Sequence, residues 1–375
     1  MTMKNAPSIP QQQVDTPRVI ILADDLTGAC DSGVAFLSSG RQVRVVLDLT
    51  SFDSSSGEDE VWSFTTESRN LPMHEAAERL TESMAKLPHE GSLFFKKVDS
   101  AARGHLGTEV IAALRSSSAS IALVAPAFPE AGRTVHAGVL RVSDFSGQDS
   151  TIALRDLFAH EKEISIDVLA DDSPRQQLAD DISAAIANNT DILLCAARTQ
   201  QHLHDLAAAA LHLDQPILWA GSAGLAHALA DELPKANASS IAQAITAKPG
   251  RTVLFAGTPH PVTLSQVARL DGAAHETHII DCAVTPEAAI RETFSFSPVS
   301  ALILTGGDTA AFVLRALSAS SILLAGEIAR GIPWGIIAGG MAAGCIVITK
   351  SGGFGNPESL VHAFEFCERR LYESA

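Results

Sequence analysis

The sequence predicts an α/β protein made of two α/β domains with mainly parallel sheets, and it places the functional site in the cleft between the domains. Three observations support this prediction. Short apolar segments alternate with stretches of helical apolar spacing along most of the chain, as in doubly wound sheets. A polar, Ala- and Ser-rich stretch at residues 233–250 separates two such series and is typical of a linker. Several apolar segments end abruptly in Gly, Thr or Asp, at the strand ends where open α/β sheets bind ligands.

Composition limits the class of protein. The chain has 375 residues, of which 46% are hydrophobic and 19% charged, so it is long enough for two globular domains. Its formal net charge of −16 argues against nucleic acid and against an anionic membrane surface as partners, because clustered Lys and Arg recognise both. Residues 1–17 are polar and Gln-rich, without the apolar core of a signal peptide, which predicts a disordered leader and a cytoplasmic protein.

The first domain is predicted to span residues 18–235. Its first strands are predicted at residues 19–23, 43–47, 61–65, 93–98 and 121–125. Helical spacing is found at residues 26–39, 73–86 and 106–114, a Pro- and Gly-rich loop is predicted at 126–138, and further strand and helix pairs lie within 165–194 and 199–230. This alternation is typical of a parallel sheet covered by helices.

The second domain is predicted to span residues 250–375. Its predicted strands at 253–256, 301–304 and 345–349 end in Gly-Thr, Thr-Gly-Gly-Asp-Thr and Lys-Ser-Gly-Gly-Phe-Gly. Such loops let backbone N–H groups approach phosphate oxygens, although the common phosphate-binding fingerprints are absent from the sequence. The uncharged stretch at 331–349 is too rich in Gly for a membrane helix, so a buried Gly-rich loop is predicted before the last strand.

Two carboxylates follow the first predicted strand. Asp24 and Asp25, with Thr27 and Gly28, stand at its carboxyl end, where a ligand would bind. The competing interpretation is that Asp25 only caps the helix that follows. Two adjacent acids exceed what a helix cap needs, so we favour a ligand site.

An arginine follows the strand predicted at residues 93–98. Arg103 stands in a run that also contains Asp99 and Ser100. At such a strand end its planar guanidinium could bind a ligand carboxylate through two hydrogen bonds. The competing interpretation is a structural ion pair of Arg103 with Asp99 or Glu109.

Six motifs, taken together and in their order along the chain, resemble the four-carbon acid sugar kinase family. They are Ala-Asp-Asp-Leu-Thr-Gly-Ala (23–29), Lys-Lys-Val-Asp-Ser-Ala-Ala-Arg-Gly (96–104), Ala-Pro-Ala-Phe-Pro (125–129), Gly-Ser-Ala-Gly-Leu (221–225), Thr-Gly-Gly-Asp-Thr (305–309) and Lys-Ser-Gly-Gly-Phe-Gly (350–355). The resemblance implies that the amino-terminal domain binds a four-carbon sugar acid, that the carboxyl-terminal domain binds ATP, and that the terminal (C4) hydroxyl is phosphorylated. Thr65 departs from the family's pattern, which commonly has an aspartate there, and such departures leave the substrate undecided.

The resemblance also implies which residues face each ligand. The acid-facing residues would be Asp24, Asp25, Thr27, Gly28, Ser68, Arg69, Asp99, Ser100 and Arg103. The nucleotide-facing residues would be Thr258, Gly306, Gly307, Asp308, Thr309, Gly352 and Gly353, with Lys350 as an added cation.

Phosphoryl transfer to a hydroxyl needs in-line placement, neutralised phosphate charge and an acceptor for the hydroxyl proton. In so acidic a chain, Mg²⁺, glycine-loop amides and Lys350 would neutralise the phosphates of ATP. Asp24 or Asp25 would be the catalytic proton acceptor, and the other would hold substrate hydroxyls. The sequence does not choose between the two acids, and it leaves the metal ligands unknown.

Two alternatives stay open. One is a nicotinamide-dependent sugar-acid oxidoreductase, which the missing dinucleotide fingerprint disfavours, and the other is a non-catalytic sugar-acid-binding protein. The sequence also leaves open whether the acid is threonate, erythronate or 3-oxo-tetronate. A homodimer is compatible with the sequence, which does not set the number of chains.

Overall fold

The computed structural model of the chain describes residues 17–49, 52, 60–143, 149–171, 173–236, 249–270, 272 and 274–373. Its strands are β1 (Arg18–Ala23), β2 (Gln42–Val46), β3 (Glu60–Thr65), β4 (Ser92–Lys97), β5 (Ile121–Ala125), β6 (Arg133–His136), β7 (Val139–Ser143), β8 (Asp149–Ala153), β9 (Ile166–Val168), β10 (Ile192–Leu194), β11 (Ile217–Gly221), β12 (Arg251–Ala256), β13 (Glu276–Ile279), β14 (Val299–Thr305), β15 (Ser321–Ala329), β16 (Ile332–Ala338) and β17 (Ile346–Lys350). Its α-helices are α1 (Leu26–Ala35), α2 (Met73–Met84), α3 (Leu106–Ser116), α4 (Leu178–Ala187), α5 (Gln200–Leu211), α6 (Ala223–Glu232), α7 (Pro261–Val267), α8 (Glu287–Phe296), α9 (Gly307–Ala316) and α10 (Ser359–Glu373). The predicted leader, apart from Pro17, and residues 237–248 of the predicted linker lie outside the described residues.

Fourteen of the described strands form one sheet, in the order β13-β12-β14-β17-β16-β15-β2-β3-β1-β4-β11-β5-β10-β9. The strands that the first half contributes to this sheet pair with one another in parallel, as β1 does with both β3 and β4. The pairs β12–β13, β12–β14 and β14–β17 of the second half are also parallel. The predicted α/β class with mainly parallel strands is therefore confirmed. The two strand series share one hydrogen-bonded sheet, because β15 pairs antiparallel with β2 and covers its edge.

The hairpin of β15 and β16 was not foreseen, and the buried loop predicted within residues 331–349 is wrong. Strand β16 is buried over most of its length and pairs antiparallel with both β15 and β17. Its glycine has a structural reason, since a Cβ at Gly335 would lie 2.4 Å from the carbonyl oxygen of Leu323. Glycine inside a strand permits such a close backbone approach, and it also masks the strand in the sequence.

The loop predicted at residues 126–138 also contains a strand. Strand β6 begins a three-stranded antiparallel sheet with β7 and β8, separate from the large sheet. The side chains of β8 are mostly exposed, so the apolar alternation that predicts strands is weak there.

Helix α1 lies at the centre of the molecule. Nine of its ten residues are buried, and most of these are small. A Cβ at Gly33 would lie 3.1 Å from Val43 Cγ1 and 3.2 Å from Leu324 Cδ1, so the helix packs against both halves of the sheet. Because α1 follows β1 directly, the residues between them lie where the two strand series meet. No helix among the described residues is long and apolar enough to cross a bilayer.

Candidate functional site

Two adjoining cavities lie at the carboxyl ends of the parallel strands. The inner pocket is lined by Asp25, Thr27, Gly28, Asp31, Arg69, Lys97, Asp99, Ser100, Arg103, Phe128, Ser222, Gly331, Thr349, Ser351 and Phe354. The outer cavity, of about 620 Å³, is lined by Asp25, Arg69, Asn70, Arg103, Gly104, Gly257, Thr258, Pro259, His260, Asp281, Cys282, Ala283, Gly306, Gly307, Asp308, Thr309, Ser351 and Gly352. Four residues line both and define the junction, namely Asp25, Arg69, Arg103 and Ser351.

Asp25 is both a helix cap and a residue of the junction. Its Oδ1 accepts a hydrogen bond from the backbone N–H of Gly28 at 2.8 Å, as the capping interpretation predicts. Its Oδ2 accepts from Thr27 Oγ1 at 2.8 Å and from Arg69 at 2.6 Å. A Cβ at Gly307 would lie only 2.4 Å from that same Oδ2. The carboxylate therefore lies against the first residue of α9, at the boundary of the two cavities.

Asp24 lines neither cavity. Its two carboxylate oxygens accept hydrogen bonds from Arg69 Nε at 2.7 Å and from the same guanidinium at 2.8 Å. Burial alone would raise the pKa of Asp24, but the charges of Arg69, Lys96 and Lys97 hold it below its usual value. Asp24 is therefore an ionised carboxylate that fixes the position of the Arg69 guanidinium.

Arg103 already has a carboxylate partner. Its Nε lies 3.1 Å from Asp99 Oδ1 and one terminal nitrogen lies 2.5 Å from Asp99 Oδ2. Burial opposes ionisation of Asp99, but the hydrogen bonds and charge of Arg103 outweigh it and hold the pKa of Asp99 well below its usual range. The side chain of Arg103 is nonetheless 53% exposed at the junction. The predicted binding of a ligand carboxylate by Arg103 stays a prediction.

Ser68, which was predicted to face the acid, is fully buried and lines neither cavity. Its hydroxyl donates to Glu109, whose other oxygen pairs with Lys96 Nζ at 3.2 Å. Ser68 thus anchors the loop that carries Arg69. Thr27, Gly28, Asp99 and Ser100 line the inner pocket as predicted.

Most residues predicted to face the nucleotide line the outer cavity. They are Thr258, Gly306, Gly307, Asp308, Thr309 and Gly352. Gly306 has φ 102°, which favours glycine, and it turns the chain so that α9 begins at the cavity wall. Gly353 lies beside the His260 ring and does not line the cavity.

Lys350 also lies outside the cavity, beneath the loop that follows β17. Its side chain is almost fully buried, and Nζ donates to Thr263 Oγ1 at 3.1 Å and to the carbonyls of Ser351 and Phe354 at 3.0 and 3.3 Å. Burial lowers the pKa of Lys350 to about 7. In this geometry Lys350 supports the glycine loop from below.

The stability of the protein relative to a Lys350→Met variant should rise with pH above neutrality. Between the folded pKa of about 7 and the unfolded pKa of about 10.4, only the unfolded state keeps this lysine protonated, so unfolding takes up a proton. The free-energy difference between the two proteins should grow by about 1.4 kcal/mol per pH unit in that range. Urea unfolding at several pH values measures it, with the exposed Lys86→Met as control. A difference that stays constant with pH would contradict this assignment.

Several lining residues were missed by sequence reasoning. Lys97 stands in a motif that was recognised, but only the later residues of that motif were assigned. Asp31 follows Thr27 by one helical turn and so shares its face of α1. Burial raises the pKa of Asp31 to about 7 against the opposing charge of Lys97. Phe128 and Phe354 also line the inner pocket, although the motifs that contain them did not predict this. Gly331 lines it too and belongs to the β15–β16 hairpin, which the sequence did not predict.

Two models of known domains match the chain. Residues 19–229 match the model of a sugar-binding N-terminal domain, and residues 223–360 match that of a nucleotide-binding C-terminal domain. A D-threonate kinase of Bordetella bronchiseptica is 31% identical over 95% of this chain and 99% of its own length. A D-threonate kinase of Salmonella typhimurium is 27% identical over 94% of this chain and 98% of its own. A Haemophilus influenzae protein of solved structure shares the fold with a TM-score of 0.66 and 20% identity, over 94% of this chain and 100% of its own. Since one domain model matches more than half of the chain and a relative matches nearly all of it, the chain belongs to the four-carbon acid sugar kinase family.

Proposed function

We propose that this protein is an ATP-dependent kinase that phosphorylates the C4 hydroxyl of a four-carbon sugar acid such as threonate, erythronate or 3-oxo-tetronate. The observation that carries the proposal is the position of Asp25, whose carboxylate lines both cavities and lies against the first residue of α9. A group that receives a proton during phosphoryl transfer has to stand where the two substrates meet.

The outer cavity is the site proposed for ATP. The amino-terminal end of α9 and the glycine loops after β12 and β17 line it, and the unpaired N–H groups of a helix start favour phosphate. No cluster of three or more metal-ligating side chains is found in the described part of the chain. Mg²⁺ commonly takes one or two carboxylates and completes its shell with phosphate oxygens and water. Asp308 and Asp281 offer such carboxylates on the cavity wall and would hold Mg²⁺, which would neutralise phosphate charge.

The inner pocket is the site proposed for the sugar acid. Asp25 would accept the proton of the C4 hydroxyl as that oxygen attacks the γ-phosphorus of ATP and the bond to ADP breaks. Arg69 holds Asp25 in place and is itself held by Asp24, so the two adjacent acids have different roles. Arg103 stands at the junction, where its exposed guanidinium can face both substrates.

A coupled ADP-release assay over four-carbon sugar acids tests this function. We expect Mg²⁺-dependent ADP release with at least one of threonate, erythronate and 3-oxo-tetronate, and a product phosphorylated at C4 by NMR. Melting temperatures measured with ATP and Mg²⁺, with NAD and with the acid alone separate the alternatives. Stabilisation by NAD and not by ATP would indicate an oxidoreductase, and stabilisation by the acid without turnover would indicate a binding protein.

The proposed division of labour between the two halves has its own test. Because the outer cavity is lined mainly by residues after position 256, a photoreactive azido-ATP should label peptides from residues 250–375. Excess unlabelled ATP is the control and should abolish the labelling. Label found only in peptides before residue 230 would overturn the placement of the nucleotide.

A further inference from the structure

The inner pocket is too small for the ligand proposed for it. Its volume is about 20 Å³, against about 620 Å³ for the outer cavity. That is room for about one or two water molecules, whereas a four-carbon sugar acid has about nine carbon and oxygen atoms. The pocket must therefore enlarge before the acid can bind, so part of its wall has to move.

Most of this wall belongs to fixed parts of the fold. Helix α1, which is buried in the centre of the molecule, contributes lining residues from its first two turns. Thr349 lies in β17, an inner strand of the large sheet. The buried hydroxyl of Ser222 donates to the carbonyl of Ala127 at 2.6 Å and so fixes the wall next to Phe128. The parts that remain are the turn between β15 and β16 and the loop after β17.

The turn between β15 and β16 has little backbone support from the rest of the sheet. Among the described pairings, β2 pairs with β15 only at residues 321–323, and β17 pairs with β16 only at residues 334–336. The register of the hairpin shifts between Leu324 and Gly326 and again between Glu327 and Ala329. Such bulges bend a strand pair locally. Residues 327–332, called here the hairpin tip, can therefore tilt as a unit about these positions.

Side-chain contacts of Arg330 hold the hairpin tip to the first half of the chain. Its Nε lies 2.8 Å from a carboxylate oxygen of Glu130, and a terminal nitrogen lies 2.7 Å from Nε2 of His227. Burial and the charge of Arg330 lower the pKa of His227 to about 3, so its ring is neutral and can accept a hydrogen bond. Arg330 and Glu130 are each 42% exposed. Exposed ion pairs stabilise little, so this contact can open and close readily.

Gly331 connects this contact to the inner pocket. A Cβ at Gly331 would lie 2.4 Å from Cδ1 of Phe354, so the phenyl ring packs directly on the backbone of the hairpin tip. The backbone of Phe354 is held separately, since its carbonyl accepts hydrogen bonds from Gln266 at 3.1 Å and from Lys350 at 3.3 Å. The ring also faces Phe128 of the first half, with the two centroids 6.1 Å apart. Once the tip tilts away, the Phe354 ring can turn and the pocket enlarges.

We propose that the hairpin tip is a lid of the inner pocket and that Arg330 is the latch that holds this lid closed against Glu130 and His227. The inference rests on the proposed function, because the size of the sugar acid is what requires the pocket to open. The acid enters while the latch is open. Closure then returns the tip over the bound acid and excludes water from the site of phosphoryl transfer. Arg330 is thus a positioning residue, which acts through the backbone of the tip.

The test compares the kinetics of acid binding without ATP in wild type, Arg330→Ala, Arg330→Lys and Glu130→Gln. Calorimetry with threonate, erythronate and 3-oxo-tetronate gives Kd, and exchange NMR of the ¹³C-labelled acid that binds gives its dissociation rate. The latch acts in the free and the bound protein alike. Its loss in Arg330→Ala should therefore raise the association and dissociation rates together by about 3- to 10-fold and leave Kd within about 2-fold. Arg330→Lys, which can still pair with Glu130, should stay close to wild type.

Glu130→Gln opens the same latch from the first half and should behave like Arg330→Ala, so the test does not depend on one variant folding. Arg269→Ala is the matched control, since Arg269 forms a similarly exposed ion pair with Glu358 inside the second half. It should change neither rate. Unchanged rates in both Arg330→Ala and Glu130→Gln would overturn the lid. A rise of Kd through the dissociation rate alone would also overturn it, because Arg330 would then stabilise only the bound acid.

These measurements also separate the lid from the proposed function, because they need no phosphoryl transfer. If wild type binds an acid but releases no ADP, the kinase proposal fails and the two rates still decide whether the lid exists. If wild type phosphorylates an acid and the latch variants keep both rates, the lid fails and the kinase proposal stands. If wild type binds none of the three acids, the proposed function fails and this inference fails with it.

Discussion

Replacing Asp25 by asparagine should lower kcat by about 10² to 10⁴-fold, the range measured for a lost general base. The amide cannot accept the proton of the attacking hydroxyl, yet it can still accept the hydrogen bond from Gly28 that caps α1. The variant should therefore fold, and it should still bind ATP, because most residues of the proposed nucleotide site come from positions after 256. Single-turnover rates with ATP and Mg²⁺ measure the chemical step directly.

Asp24→Asn is the matched control for this prediction. Asp24 lines neither cavity, and its carboxylate binds Arg69 through two hydrogen bonds. Its replacement should lower stability by about 1 to 3 kcal/mol, because a charged hydrogen-bond partner of a buried group is lost, and should reduce kcat less than Asp25→Asn does. Equal turnover in Asp25→Asn and wild type would reduce Asp25 to a helix cap. A larger loss of kcat in Asp24→Asn would exchange the roles of the two acids.

The sequence predicts a candidate site after β1 but not which of its acids faces a ligand. An apolar segment followed by two acids predicts a ligand site at a strand end, and in the structure Asp25 lines both cavities. Both acids bind the guanidinium of Arg69, but only Asp25 lines the cavities, and this difference depends on contacts with residues far along the chain. Side-chain alternation along β4 separates Lys96, paired with Glu109, from Lys97, which lines the pocket. Which side faces the ligand is decided by the helices packed on the sheet, and no local pattern records that.

The residues of the second half that line the inner pocket could not be predicted from the sequence for a different reason. The hairpin of β15 and β16 joins the two strand series by pairing with β2, which is more than 270 residues earlier in the chain. Such distant antiparallel pairing leaves no local signal, and the glycines within and beside β16 suggest a loop. The sequence therefore did not predict that Gly331, at the tip of this hairpin, lines the inner pocket. The glycine loops of the outer cavity were foreseen because each follows a buried strand directly.

Gly307→Ala should lower kcat by about 10²-fold. It should not lower the melting temperature on account of helix propensity, because alanine favours a helix more than glycine does. The new Cβ would lie 2.4 Å from Asp25 Oδ2, and carbon and oxygen atoms do not approach so closely. The carboxylate would have to move by several tenths of an ångström, away from the junction. Misplacement of a reacting group by about 1 Å is enough for a loss of that size.

The predicted loss from Gly307→Ala should act through Asp25, and a double-mutant cycle can show it. In the Asp25→Asn background the alanine should lower kcat little further, because the proton acceptor is already gone. Gly272→Ala is a suitable control, since a Cβ there would meet no atom within 4 Å, and it should leave kcat unchanged. Additive losses in the double mutant would mean that the alanine disturbs the nucleotide at the start of α9 and not the carboxylate. Wild-type turnover in Gly307→Ala would mean that Asp25 does not work from the position it has beside α9.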